Sequence, residues 1–235
     1  MNIAFYNSSV GAVQQQKKLD VVANNIANVN TEGYKNQTAT FVDMMYGKIH
    51  DTSAEDLTVG SGARVEKTDI DFQQGAMDNT GNTYDFAIKG TGFFAVYNME
   101  TEEISYTRKG TFQMSEYGSN TFYLTTDSGE FVLDSKGRAV QVTGSSDDEV
   151  ELGVYDFQNY QGMLAVGDEL YQPVDKNGTP YLNTESEVMQ GFVEKSNTSL
   201  ADEMVRVIAA QRAYQANLRM VTTSDQIEQT VNSLR

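Results

Sequence analysis

Apolar positions along this chain follow two rhythms, and the change from one to the other divides it. From Ser199 onward the step is helical: Leu200, Met204, Val207, Gln211, Tyr214, Leu218 and Val221 follow one another at intervals of three and four, with no Gly or Pro between them. Ser199-Leu-Ala-Asp202 has the spacing of a capping box, and Asp202 and Glu203 place negative charge where a helix N-terminus favours it. The pattern predicts one helix from there to the C-terminus, roughly 50 Å long at about 1.5 Å per residue. Its stripe then changes side. After Thr222-Thr-Ser-Asp225, four weak helix formers, Ile227, Val231 and Leu234 fall across the helix from the first set. The plainer alternative is a frayed end.

Residues 2–34 repeat the oddity. Ile3, Tyr6, Val10 and Val13 make one stripe, whereas Leu19, Val22, Ile26 and Val29 lie on the opposite side. If both terminal helices are apolar on two sides, pairing them leaves one side of each open, and a strip of that size implies other chains. Between the second stripe and the next segment lie Asn24, Asn25, Asn28 and Asn30, poor helix material because their amides compete for backbone groups, and Gly33 sits where a left-handed closing turn belongs. This stretch is either a polar helix end with its loop or an amide-rich contact surface.

The middle alternates at the period of strands. Residues 41–46 either extend the first helix or begin a connecting arm, and Gly60-Ser-Gly62 is a joint before a strand over 63–72. Short strands are expected at 85–89, 93–97, 104–108, 121–125, 131–133, 139–142 and 149–157, an antiparallel sheet or small barrel. Phe86, Ile88, Phe93 and Phe94 head its core, joined by Phe122, Leu124, Val132 and Val154. The fold class is therefore α+β, terminal helices pairing as a stem with a mostly antiparallel β domain inserted. The expected division is 1–35 with 198–235 as the helical assembly domain, 36–75 as a connecting arm or linker with β structure, 76–190 as the outer β domain and 191–197 as the return linker.

Charge sharpens this division. The 235 residues sum to −16, yet residues 1–45 and 193–235 are each neutral, so 46–192 holds the whole excess. Such a domain is repelled by phosphate backbones and anionic lipid, which argues against nucleic-acid and membrane-surface partners. No apolar run is long enough to span a bilayer, and the N-terminus lacks the order of a cleavable signal. With no cysteine and one histidine, His50, neither disulfides nor the common metal and acid-base sets are available.

Candidate chemistry is sparse. Gly90-Thr-Gly92 is half of a dinucleotide fingerprint but runs into a strand, so it reads as a turn. Asp175-Lys-Asn177 opens like a calcium loop, yet its twelfth position is Ser186. Asp147-Asp148 has nothing to place it in a cleft. We expect no catalytic residue, no metal and no cofactor. A surface-displayed β module that binds glycans or protein is the alternative of a different class, and it would keep its affinity with both ends deleted.

Three stretches carry a resemblance. Leu19-Asp-Val-Val-Ala-Asn-Asn-Ile-Ala-Asn-Val-Asn-Thr-Glu-Gly-Tyr-Lys35 resembles the N-terminal signature of the bacterial flagellar axial proteins, the rod and hook family. Gly191-Phe-Val-Glu-Lys-Ser-Asn-Thr-Ser-Leu-Ala-Asp-Glu-Met204 with Ala210-Gln-Arg-Ala-Tyr-Gln-Ala-Asn217 is similar to its C-terminal signature. Residues 74–96 and Tyr106-Thr-Arg-Lys-Gly-Thr-Phe112 match its middle. The likeness covers roughly residues 1–140 and 188–235. It implies a subunit exported unfolded through the flagellum's own apparatus, then built with copies of itself and other axial proteins into a helical tube that transmits torque, lined by paired terminal helices. The intermediate insertion points to a rod subunit of the basal body, the distal rod first, with a proximal rod or hook-type axial subunit as the alternative. Thr198-Ser199, the expanded 114–122 and the acidic Ser145-Ser-Asp-Asp-Glu149 depart from the pattern and bear on subtype. On this reading the assembly contacts comprise Asn24, Asn25, Asn28, Asn30, Gly33 and Tyr34 at one end and Leu200, Met204, Gln211, Arg212, Tyr214 and Leu218 at the other.

Overall fold

A computed structural model describes residues 3–49, 57–117, 121–143 and 150–234. His50 and the whole acidic 145–149 run, Asp147-Asp148 included, lie outside the described residues. The chain divides into two compact units, one formed by 1–27, 37–70 and 199–235, the other by 28–36 and 71–198.

The first unit is built on two helices, α1 (Ile3–Ala27) and α2 (Leu200–Ser233). Helix α2 starts where its cap predicts, with the Ser199 hydroxyl accepting from the Asp202 N–H at 3.4 Å and the Ser199 carbonyl accepting from Glu203 N at 3.0 Å. It runs unbroken through the four weak helix formers, where Thr222 and Thr223 donate back to the Arg219 carbonyl. Ser199→Ala is expected to cost about 1 kcal/mol, read as increased amide exchange in the first turn of α2 with the rest of the helix unchanged.

Helix α1 ends at Ala27, ahead of the last two asparagines. The chain then returns to this unit not as more helix but as a strand, Gln37–Asp43, paired antiparallel with Ala63–Ile70 through a bulge at Thr40/Phe41. The pairing continues outward between Tyr46–Ile49 and Leu57–Gly60. This strand pair packs along α1. Gln14 Oε1 accepts from Val65 N at 2.9 Å, Asn7 donates to the Gly60 carbonyl at 2.8 Å, and the Lys18 ammonium lies 5.9 Å from the Phe41 ring centre. Helix α1 thus has two neighbours in its own unit, α2 and the strand pair. Val22 is buried and Leu19 and Ile26 are half-buried, so the second stripe of α1 is covered from within to that extent.

In the second unit a sheet runs in the order Gln141–Val142, Phe122–Thr125, Phe131–Val132, Phe93–Tyr97, Ile104–Thr107, Leu170–Gln172, Leu164–Gly167, with branches at Val154–Asp156, Tyr181–Leu182 and Gln113–Glu116. Two further antiparallel pairs join Phe86–Lys89 to Glu187–Gln190 and Met77–Asn79 to Phe192–Glu194. Neighbouring Phe93 and Phe94 point to opposite faces, as the pleat requires. Phe94 packs with Phe86, Ile88, Phe112, Leu124, Val132 and Val154, and Phe122 lies against this cluster half-buried. Phe93 faces an aromatic group of Phe72, Phe157, Tyr160 and Tyr171 with ring centres 5.3–6.2 Å apart. The Gly90-Thr-Gly92 turn has φ of 120° and 109° at its glycines, which only glycine adopts without strain. At Asp175–Asn177 a single 3-10 turn forms, its Asn177 buried on the backbone at Val174 and Asn159, turn chemistry and not a cation loop.

Candidate functional site

Two places concentrate the unusual chemistry of this chain, one in each unit. The first is the seam between α1 and α2. The side of α2 that is covered runs Glu203, Val207, Ala210, Tyr214, Asn217, Val221 and Ser224, a strict alternation of four and three residues with small or polar side chains at most positions. Asn25, wholly buried, donates to Glu203 Oε2 at 3.4 Å and to the Gln37 carbonyl at 2.8 Å, while its own oxygen accepts from Gln37 N at 3.0 Å. Glu203 also takes Arg206 at 2.9 Å. Two heptads along each helix from that pair, Gly11 faces Asn217, and a Cβ at Gly11 would come within 2.9 Å of the Asn217 amide nitrogen. Polar residues at seam positions fix register at a cost in stability.

Because the seam is narrow, much of α2's apolar surface is open. Leu200, Met204, Val205, Ile208, Leu218, Met220, Ile227 and Val231 are all exposed, Val205 at 66% and Val231 at 59%. On α1 the same holds for Ile3, Phe5, Tyr6 and Val13. Ile227, Val231 and Leu234, the second stripe read from the sequence, are among the exposed set.

The second place is a buried ion trio that the sequence reading did not find. Glu194, at the end of its strand, accepts from Lys35 Nζ at 2.7 Å through Oε1 and from Arg108 Nη1 at 3.1 Å through Oε2, and Oε1 also takes the Gly75 N–H at 2.7 Å. Lys35 Nζ donates further to the Gln73 carbonyl at 2.8 Å, and Arg108 Nη2 to Gly90 at 2.8 Å, with its guanidinium 5.5 Å from the Phe93 ring centre. Burial holds Lys35 below the usual lysine range against the upward pull of Glu194. The backbone closes the same junction. Gly33 N donates to the Glu194 carbonyl at 2.8 Å, and Gly33 takes φ 71° with a Cβ position 2.5 Å from Lys109 N. Asn197 accepts from Asn36 N at 2.7 Å and donates to the carbonyls of Asp71 and Gln73. The three signatures quoted above each supply one member, Gly-Tyr-Lys35, Tyr-Thr-Arg108 and Phe-Val-Glu194. A charge set directly after buried residue types is the signal that could have found them.

The assembly residues named from sequence are distributed between these places. Asn25 is used inside the first unit, and Gly33 and Tyr34 are buried in the second. Asn28 is half-buried with its side chain accepting from Thr31 at 3.1 Å, and Asn24 and Asn30 are exposed. On α2, Leu200, Met204, Gln211, Arg212 and Leu218 are exposed and Tyr214 is half-buried in the seam. Among the described residues no group of three His, Cys, Asp or Glu could hold a metal ion, and no helix is long and apolar enough to cross a membrane.

Family models agree with this layout. One described as the flagella basal body rod protein matches residues 5–35, one described as the flagellar hook protein FlgE/F/G D1 domain matches 87–152, and one described as the flagellar basal body rod FlgEFG protein C-terminal matches 189–234. The flagellar basal-body rod protein FlgG of Buchnera aphidicola subsp. Schizaphis graminum (strain Sg) is 33% identical over 258 residues, spanning 97% of each chain. The chain belongs to the flagellar basal-body rod protein family. FlgG of Bacillus subtilis (strain 168) is 32% identical over 263 residues, covering 99% of this chain and 98% of the relative. The rod protein FlgF of Mesorhizobium japonicum (strain LMG 29417 / CECT 9101 / MAFF 303099) is 28% identical over 252 residues, covering 99% of both. This is a family of structural rod subunits of the bacterial flagellar basal body rather than of enzymes. In rod-family terms, the N-terminal model covers most of α1 and the turn to Lys35, the middle model the sheet with Arg108, and the C-terminal model Glu194 and α2.

Proposed function

We propose that this chain is a subunit of the distal rod that polymerises through α1 and α2 into a helical tube and passes torque along it, after export by the flagellar apparatus. The observation that carries the reading is the open apolar band of α2, from Leu200 to Val231, on a helix whose covered side is narrow and largely polar. A helix of a self-contained pair buries its apolar stripe; this one keeps it for another molecule. The neighbours that fit are further copies of the chain, because the ends carry no net charge to oppose dense packing while 46–192 carries the whole −16. Similarity to relatives named FlgG, at up to 33% identity, favours the distal segment over the proximal one. Asn24, Asn30, Gln211 and Arg212, all exposed, join the band as polar contacts between copies.

The test is sedimentation of the full chain under polymerising conditions. Ile208→Asp with Leu218→Glu is expected to abolish pelleting while the sheet unit melts unchanged by near-ultraviolet circular dichroism. Pelleting at the parent level in the double variant would overturn the proposal.

A further inference from the structure

One group in the sheet unit has no internal explanation. Glu130, 6% exposed, follows the Thr126–Gly129 turn and has its Oε2 fully buried with no hydrogen-bond partner. It lines a cleft of about 170 Å³ with Thr107, Thr126, Asp127, Ser128 and Asp168. Asp127 is held by Lys109 at 2.7 Å and Gln113 at 2.8 Å, and Asp168 by Ser128 at 3.0 Å. Burial pushes the Glu130 carboxyl up, a hydrogen bond from Asn98 opposes this, and the charge of Asp168 adds to it. Burial and the charges of Asp168 and Asp127 push neighbouring Glu169 up as well, against Lys109. Lys109, for which burial works downward, is nonetheless raised by Asp127. The cleft therefore holds more negative charge than its one lysine balances, and a buried carboxylate oxygen without a donor is destabilising until one arrives.

We propose that this cleft receives the guanidinium of an arginine from a neighbouring copy of the chain, an inference that rests on the assembly reading above. The chemistry selects this ligand. Carboxylates interleaved with hydroxyls match the planar five-donor fork of arginine. The acidic groups are too dispersed to make a metal site among the described residues, and anions are repelled. Charge complementarity points to a second copy: the sheet unit lies in the acidic part of the sequence, and α2 presents Arg212 and Arg219, both exposed and one heptad apart on one face.

The experiment follows the Glu130 carboxyl carbon by NMR in the full chain labelled with 13C-glutamate, titrated with acid in N-acetyl-arginine amide or in sodium chloride of equal ionic strength. The capped arginine is expected to lower the proton affinity of Glu130 at least about tenfold, as an opposite charge within a few ångströms does. N-acetyl-lysine amide should do less, and Glu130→Gln should abolish saturable binding of the capped arginine. No difference from sodium chloride, or equal binding by Glu130→Gln, overturns the proposal. In pelleted polymer the cleft should refuse the capped arginine because a neighbour fills it; equal uptake by polymer and free subunit overturns the neighbour as donor. Absence of any polymer counts against the assembly reading and with it the neighbour, whereas the free-subunit titration reports on the cleft itself.

Discussion

Glu194→Ala is expected to destabilise the sheet unit by about 3–5 kcal/mol, the cost of breaking a buried ion pair by removing one partner. The top of that range applies, because the single carboxylate answers three donors, Lys35, Arg108 and the Gly75 N–H, and its removal leaves two buried cations facing one another. Glu194→Gln keeps the shape and an acceptor oxygen, so it should recover part of the loss while still leaving the cations uncompensated. With no tryptophan in the chain, the measurement is guanidinium unfolding followed by tyrosine emission. A midpoint for Glu194→Ala within about 1 kcal/mol of the parent, the size of an exposed pair, would mean that water replaces the carboxylate and that the trio is not the closure of the unit.

Gly110→Ala is expected to be as severe for a different reason. An added Cβ would lie 1.6 Å from the Phe86 carbonyl oxygen and 2.7 Å from its carbon, so the two segments must part. That breaks the Phe86 N–H to Gly110 carbonyl bond of 2.9 Å and opens the cluster in which Phe86, Phe94 and Phe112 meet. A loss above about 4 kcal/mol, in the range reserved for such mechanisms, is expected in the same unfolding measurement. Gly129→Ala is the control. Its Cβ would meet nothing within 4 Å, and only its φ of 86° opposes a side chain, a penalty of about 1–2 kcal/mol. Gly110 has no positive φ to demand glycine, so a loss no larger than that of Gly129→Ala would show that the Phe86 and Gly110 segments part readily and that their close approach is not what dictates glycine at position 110.

What the sequence disclosed followed what periodicity can mark. The start of α2 was legible to the residue, because a cap is a local hydrogen bond that Ser199 and its followers spell out. Its seam was only half legible: Val207, Tyr214 and Val221 belong to it, but Leu200, Met204, Gln211 and Leu218 lie outside it. The partner contacts are made instead through Glu203, Ala210, Asn217 and Ser224, which a hydrophobic pattern cannot flag. The Phe93–Tyr97 strand stands where alternation put it, as does the start of Ala63–Ile70. The hairpin of Leu164–Gly167 and Leu170–Gln172 passed unread, since at the sheet edge its first strand is exposed on both sides. The strand Gln37–Asp43 was legible only as β somewhere in the 36–75 arm, with residues 41–46 open to a helical reading, because its pairing partner lies beyond a long excursion. The pairing within the ion trio was illegible for the same reason of distance, whatever its single residues signal, since hydrogen-bonded partners such as Lys35 and Glu194 are separated by 159 positions.

That separation has a consequence for the life of the chain on the ribosome. Lys35 and Arg108 wait for a counter-charge that is translated only after four-fifths of the protein, and the strands 77–79 and 86–89 wait for partners from the same late stretch. Closure of the sheet unit is therefore a late event governed by long-range pairing, which is slow. A nascent chain truncated before residue 187 should be open to proteases over residues 71–92, whose strands lack their partners, while the strands of 93–182 can still pair with one another.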